Sequence, residues 1–220
     1  MQWWQILLIV LGSIALLFAL TILLYKPFFK RFWDIVFSFL GILFLFIPML
    51  IIAIIIKCDS KGPALFKQRR LGKKKKQFTV LKFRTMCDHA YEKGGIATSE
   101  SDSRITKVGK FLRRTSLDEL PQLFNIFIGQ MSIIGPRPVL DWEYEEYAND
   151  RFEPRFKTRP GMFCTVDVKY RADASRELQF QMDADYTENI KFTIDIRTFF
   201  EIIGTVILGK NVYREENKNE

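Results

Sequence analysis

The chain has 220 residues, with 33 Lys and Arg against 25 Asp and Glu, a formal charge of +8, and 48% hydrophobic and 15% aromatic side chains. The charge is local: no charged side chain occurs from Met1 to Tyr25 or from Ile35 to Ile56, while Lys57 to Lys76 holds nine basic residues and one acid, Asp59, and so carries the whole excess. Two charge-free apolar runs beside a basic block exclude an ordinary soluble domain, and the apolar content excludes a disordered chain. A membrane-bound protein is expected. Lys57 to Glu220 is roughly 160 residues, enough for one domain with its own core. Cys58, Cys87 and Cys164 are scattered, which argues against a disulfide framework and fits a reducing compartment.

Ile6 to Tyr25 is predominantly apolar and, at about 1.5 Å per residue, matches a hydrocarbon core of about 30 Å. Trp3, Trp4 and Tyr25 read as interfacial anchors at its two ends. The second run, Ile35 to Ile56, is also long enough to cross, but Pro48 near its middle removes a helix hydrogen bond and predicts a kink. Lys26, Lys30 and Arg31 precede this run and the Lys73–Lys76 block follows it, so the excess of cations places both ends on the cytoplasmic side. A helix that enters, bends at Pro48 and returns satisfies this, provided the freed backbone groups find partners. The alternative is a hairpin of two spanning helices.

Beyond Gly62-Pro63 the pattern predicts a β-hairpin, with strands Ala64–Arg70 and Phe78–Met86 around a turn at Gly72–Lys76. Lys82 and Arg84 share a face if the second strand is regular, which fits a solvated face as well as a functional one. A polar loop is expected from Lys93-Gly94-Gly95 to Ser101. The lysine run suits anionic headgroups, each basic residue contributing about 1 kcal/mol near such a surface, whereas nothing nearby resembles a nucleic-acid reader. Leu117 to Ile128 repeats apolar residues every three or four positions, predicting an amphipathic helix ended by Gly129. Phe199, Ile202, Ile203, Val206 and Ile207 form a further apolar face, read as core packing.

The segment Arg113-Arg114-Thr115-Ser116-Leu117-Asp118-Glu119-Leu120-Pro121 concentrates the chemistry. Ser116 with Glu119 fits a capping box, a purely structural role. Pro121 fits better with Asp118 as the cap, because it then occupies a position that requires no N–H. Two carboxylates at a helix start beside two arginines make an anion-attracting pocket, which keeps an Asp ionised as a nucleophile and receives phosphate. A neighbouring Glu can hold Mg²⁺, which keeps several waters and bridges phosphate oxygens. In Gly135-Pro136-Arg137-Pro138 the prolines hold Arg137 in an extended geometry, presenting a planar fork to phosphate. Arg159-Pro160-Gly161 reads as a turn with a fixed cation. His89 is the only histidine, which removes Ser/His/Asp catalysis and a zinc site, and it is read as surface or packing.

In order along the chain, Lys30-Arg31 to Asp34 before the Pro-broken helix, Phe66 to Gly72, Lys82-Phe83-Arg84-Thr85-Met86, Leu112 to Gln122, Met131 to Pro138 and Arg159-Pro160-Gly161 closely resemble the monotopic phosphoglycosyl transferases, the bacterial sugar transferase family. The resemblance covers roughly Lys30 to Gly209 and leaves Met1 to Pro27 outside the minimal catalytic unit. Two departures stand out: Ile47 precedes Pro48 where many members have Ser, and Met162-Phe163-Cys164-Thr165 replaces the usual Ile-Thr-Gly-Trp. Asp185-Tyr186 and Asn189 fit the pattern.

The resemblance implies an α+β fold divided into a transmembrane anchor (1–27), a Pro-kinked re-entrant membrane helix (28–57) and a cytoplasmic catalytic domain (58–220) at the bacterial inner membrane. It implies transfer of a phosphosugar from a UDP-sugar to a polyprenol phosphate with release of UMP, requiring Mg²⁺, at the start of polysaccharide or glycoconjugate synthesis. Asp118 is then the nucleophile and Glu119 assists the metal. Lys82, Arg84, Arg113, Arg137 and Arg159 bind phosphates, and Pro48 forms the bend. Anionic lipids are expected partners, nucleic acid is not, and a homo-oligomer stays open. The competing reading is a non-catalytic scaffold that binds anionic lipids and assembly partners through its basic surface.

Overall fold

The computed structural model describes residues 2–87, 90, 102–147, 149–170 and 174–207. The polar loop from Lys93 to Ser101, together with His89, lies outside the described residues. Helix α1 (Trp3–Leu23) is apolar on all sides and almost wholly exposed; Thr21 is its buried residue. A water-soluble core helix would bury such a surface, so α1 and the largely exposed α2 (Lys30–Asp59) are compatible with membrane anchoring. A π-helical turn, Tyr25–Phe29, joins them.

Two expectations for this junction change. Tyr25 is buried rather than interfacial, and its hydroxyl donates to Asp195 at 2.6 Å, while the ring meets Phe192 edge to face. Of the cations assigned to membrane sidedness, Lys30 is buried in an ion pair with Asp195, and Arg31 donates to the Ile126 and Phe127 carbonyls. Both therefore tie α2 to the folded domain.

Helix α2 continues through Pro48 without a break in its assignment, and Pro48 is exposed. The buried Ser38 hydroxyl donates to the Asp34 carbonyl one turn back and so gives no partner to the groups Pro48 frees. Lys30, Asp34, Ser38, Met49 and Ile56 are the buried residues of α2, and they recur at helical spacing to form one stripe along its length. Met49 and Ile56 pack with Phe83 and Leu112, while Asp34 Oδ1 accepts from the Ser132 hydroxyl and the Ile133 N–H at 3.0 and 2.9 Å. The remainder of α2 exposes large side chains such as Phe44 and Ile54.

The hairpin forms as expected. Strands β1 (Leu65–Leu71) and β2 (Gln77–Phe83) pair antiparallel, with Leu65 opposite Phe83 and Leu71 opposite Gln77. The lysine run makes the turn, with Lys74 and Lys75 at positive φ. Lys75 pairs at the surface with Glu153 and the Tyr144 hydroxyl, so the run is not a uniform block of unpaired cations.

The helix expected at Leu117–Ile128 is divided. Helix α3 (Lys107–Thr115), capped by the Thr106 side chain, ends at Ser116, whose φ of 56° turns the chain. A 3-10 turn, Leu117–Glu119, leads through Pro121 into α4 (Gln122–Phe127). No capping box forms at Ser116, which makes no side-chain cap hydrogen bond. Pro121 precedes α4, where its missing N–H removes no internal helix bond. Gly129 then stops α4 at a φ of +90°.

Strand β3 (Ser132–Ile134) leads to α5 (Asp141–Tyr147) and a 3-10 segment (Asp150–Lys157). It then pairs in parallel with β4 (Gly161–Phe163), Ser132 facing Gly161. Helices α6 (Thr165–Lys169), α7 (Arg176–Glu188) and α8 (Phe192–Ile207) complete the chain described. In α8, Ile202 is buried but Phe199 and Ile203 are exposed, so core packing holds for only part of the predicted face.

Candidate active site

The turn after α3 brings Asp118 and Glu119 to the hairpin. Lys82, next to the last residue of β2, reaches Glu119 Oε1 at 2.6 Å, and its ammonium also acts electrostatically on Asp118. Arg113, in the last turn of α3, donates Nε–H to Thr85 Oγ1 at 2.9 Å. Glycine makes this docking close enough: a Cβ on Gly109 would lie 1.9 Å from the Thr85 carbonyl oxygen.

Burial pushes the Asp118 carboxyl up to about 6; Lys82 and Arg113 oppose the shift and Glu119 adds to it. Sequence reasoning expected the arginines to dominate and hold this acid low. The short turn and its apolar neighbours desolvate it instead, yet Asp118 stays mostly ionised at pH 7.

Arg137 lines the same cleft as Lys82 and Glu119. Its guanidinium faces Asp167 Oδ1 at 3.4 Å, and that carboxylate holds its pKa above the ordinary value. Its backbone is clamped: Asp183 Oδ2 accepts from the Arg137 N–H, and Arg155 donates to both the Arg137 carbonyl and Asp183. Burial pushes the Asp183 carboxyl up, and Arg155 opposes this at 2.6 Å. Close approach of β3 and β4 completes the support, since a Cβ on Gly161 would lie 2.2 Å from the Gly135 nitrogen.

Sequence reasoning missed Gln68, Arg70 and Gln122 on the cleft wall, whereas Cys164 belongs to the Met162–Thr165 departure from the family pattern. Arg70 is fixed by Gln68, Glu143 and the Pro138 carbonyl, and burial brings it down to about 10. Met162, from the same departure, lines the cleft beside Cys164. Burial and the Asp167 and Asp183 carboxylates push the Cys164 thiol up, which leaves it a neutral contact rather than a thiolate nucleophile. These roles depend on contacts between residues up to about a hundred positions apart, for which the linear pattern carries no signal.

Two proposed phosphate ligands stand elsewhere. Arg84 follows β2, is buried and donates to the carbonyls of Ser60 and Lys61 just beyond α2, so it holds the helix end to the hairpin. Arg159 donates Nε–H to the Gly129 carbonyl and opens onto a different cleft. That second cleft, of 480 Å³, is larger than the one beside Glu119, of 30 Å³. The smaller is lined by Glu119, whose neighbour in the turn is Asp118.

Among the described residues no cluster of three or more metal-ligating side chains occurs. Two adjacent carboxylates on a partly exposed turn nevertheless fit Mg²⁺, which uses one or two carboxylates together with substrate phosphates and water.

A domain that follows two long apolar helices and whose Asp118–Glu119 turn faces fixed cations has the parts phosphoryl transfer needs. Residues 25–209 match the bacterial sugar transferase family, and the chain belongs to it. It is 36% identical over 201 residues to a UDP-galactose-lipid carrier transferase of Erwinia amylovora, covering 84% of this chain and 42% of that protein. It is 35% identical over 192 residues to a UDP-glucose:undecaprenyl-phosphate glucose-1-phosphate transferase of Klebsiella pneumoniae, covering 84% and 41%. It is 39% identical over 191 residues to the exopolysaccharide production protein PSS of Rhizobium leguminosarum bv. phaseoli, covering 81% and 93%. The chain thus spans less than half the length of the first two relatives and nearly all of the third.

Proposed function

We propose that this protein transfers a phosphosugar from a UDP-sugar to a polyprenol phosphate, releasing UMP and starting polysaccharide or glycoconjugate synthesis. The observation that carries this reading is the Asp118–Glu119 turn facing Lys82, Arg113 and Arg137 in a chain of this family. An Asp118 carboxylate oxygen attacks the phosphorus next to the sugar; the P–O bond to UMP breaks and UMP leaves. An oxygen of the polyprenol phosphate then attacks the same phosphorus, breaks the bond to Asp118 and restores the carboxylate. Burial raises the basicity of Asp118 while leaving it ionised at pH 7, which suits a nucleophile. Lys82, Arg113 and Arg137 orient and neutralise the diphosphate. Glu119, with Asp118, would hold Mg²⁺, whose contribution when bound is further neutralisation of phosphate charge.

The second part of the reading is topological. The packed stripe of α2 joins the domain at both ends, through Lys30 and Asp34 at one and Ile56 at the other. That supports a helix entering and leaving on one side, at the cytoplasmic face of the inner membrane where UDP-sugars are dissolved.

The test is release of UMP from a panel of UDP-sugars by the purified chain with Mg²⁺, with and without polyprenol phosphate. Acceptor-dependent UMP is expected, with loss of at least about a thousandfold in Asp118→Asn. No turnover across the panel, with an active control enzyme in the same detergent, would overturn the reading. Activity insensitive to Asp118→Asn would move the nucleophile elsewhere.

A further inference from the structure

The larger cleft shares no lining residue with the one beside Glu119. It lies at the opposite end of α4: the Asp118 turn leads into that helix, whereas Arg31 holds its last carbonyls and Arg159 the carbonyl of Gly129. Six cations line it: Lys26, Lys30, Arg31, Lys73, Lys157 and Arg159. Only two acids do so, Asp34 and Glu188, and Asp195 additionally matches Lys30, leaving an excess of three positive charges.

The array is built rather than diffuse. Arg31 and Arg159 are fixed by backbone carbonyls, Lys26 Nζ donates to the Thr187 carbonyl at 3.0 Å, and the Asp34 carboxylate is occupied by Ser132 and Ile133. Cations held in place before binding lose little freedom when an anion arrives. Crowding has a cost that an anion would relieve: burial, together with Arg159 and Lys74, pulls the Lys73 ammonium below its ordinary pKa. The volume of 480 Å³ accommodates a phosphate with substituents.

The geometry points to this cleft as a second anion site, which binds a phosphate-bearing headgroup separately from the reacting phosphates. Its position favours an anionic membrane lipid as the source. Lys26, Lys30 and Arg31 belong to the junction of the two apolar helices, where the chain passes between the apolar phase and the folded domain. Cations at that level gain about 1 kcal/mol each from an anionic surface. The inference is independent of the proposed reaction and requires only that α1 and α2 lie in a membrane.

Native mass spectrometry of the full chain in detergent, titrated with dioleoylphosphatidylglycerol, tests it. Lys73→Gln/Lys157→Gln should weaken lipid binding about thirtyfold. Lys74→Gln/Lys76→Gln, which removes the same amount of charge from the hairpin turn but outside the cleft lining, should change it less than about twofold. Equal weakening by both pairs, or equal binding of dioleoylphosphatidylcholine, would overturn the proposal. Displacement of the lipid by millimolar inorganic phosphate would support the anion site and assign it to soluble phosphate as well; insensitivity to phosphate would support a lipid-selective one.

Discussion

At the scale of single residues, Asp118 carries a conflict between stability and chemistry. Its carboxyl is raised by burial from the ordinary value of 3.8 to about 6, so the folded state resists its ionisation. The destabilisation is absent below about pH 4, grows as the pH rises through the window to about pH 6, and is fully present at pH 7. A rise of about two units corresponds to roughly 3 kcal/mol. Asp118→Asn is therefore expected to raise the melting temperature at pH 7 by several degrees while abolishing turnover, and the gain should vanish near pH 4. Thermal unfolding in detergent at both pH values checks this. For the active protein, kcat/KM should fall on the acid side with an apparent pKa near 6, read from a pH profile with a UDP-sugar donor. The Asp-Glu pair and the rigid Arg137 were legible from the sequence because their neighbours constrain them locally. Arg84 was given a phosphate role by the resemblance alone, and strand alternation could not test it: β2 ends at Phe83, and the Arg84 guanidinium turns to the end of α2.

At the scale of elements, the seam between α3 and the hairpin decides where Arg113 stands. Replacing a helical glycine with alanine ordinarily stabilises by about 1 kcal/mol. At Gly109 the added Cβ would meet the Thr85 carbonyl oxygen at 1.9 Å, and that obstacle is backbone, which has no rotamer by which to yield. Overpacking costs about 1–3 kcal/mol, so the steric effect outweighs the propensity. Gly109→Ala should destabilise by about 1 kcal/mol net of the propensity gain, measured by chemical denaturation. It should also lower kcat/KM at least tenfold, because α3 carries Arg113 away with it. The hairpin was legible from β-branched content and turn residues. The break between α3 and α4 was not, since Leu117–Ile128 has an unbroken helical period; the left-handed Ser116 and Pro121 override that period locally.

At the scale of the whole molecule, the stripe on α2 sets the relation of domain to bilayer. A helix of 30 residues is about 45 Å long if straight. Were it to span, the domain packed along its length would enter the apolar phase together with Arg113, Arg114 and Lys107. In a Cys58→Ser background, which removes the exposed native thiol, single cysteines at Gln2 and Phe28 report the arrangement. Impermeant thiol reagent applied to intact cells should label Gln2→Cys and leave Phe28→Cys unlabelled until the membrane is broken. The reverse pattern would establish a hairpin of spanning helices.

The sequence by itself determined that two apolar helices anchor the chain, that one mixed domain follows, and which turn bears the carboxylates. Those properties follow from local composition, periodicity and charge. Only the tertiary structure decided how the cations divide: Lys82 and Arg113 act on Asp118, Arg137 shares a cleft with Lys82 and Glu119, Arg84 holds a helix end, and Arg159 joins Arg31 and Lys73 at a separate cleft. The net charge of +8 could not reveal this, because where a long cationic side chain ends depends on which carbonyls and carboxylates the fold brings within its reach.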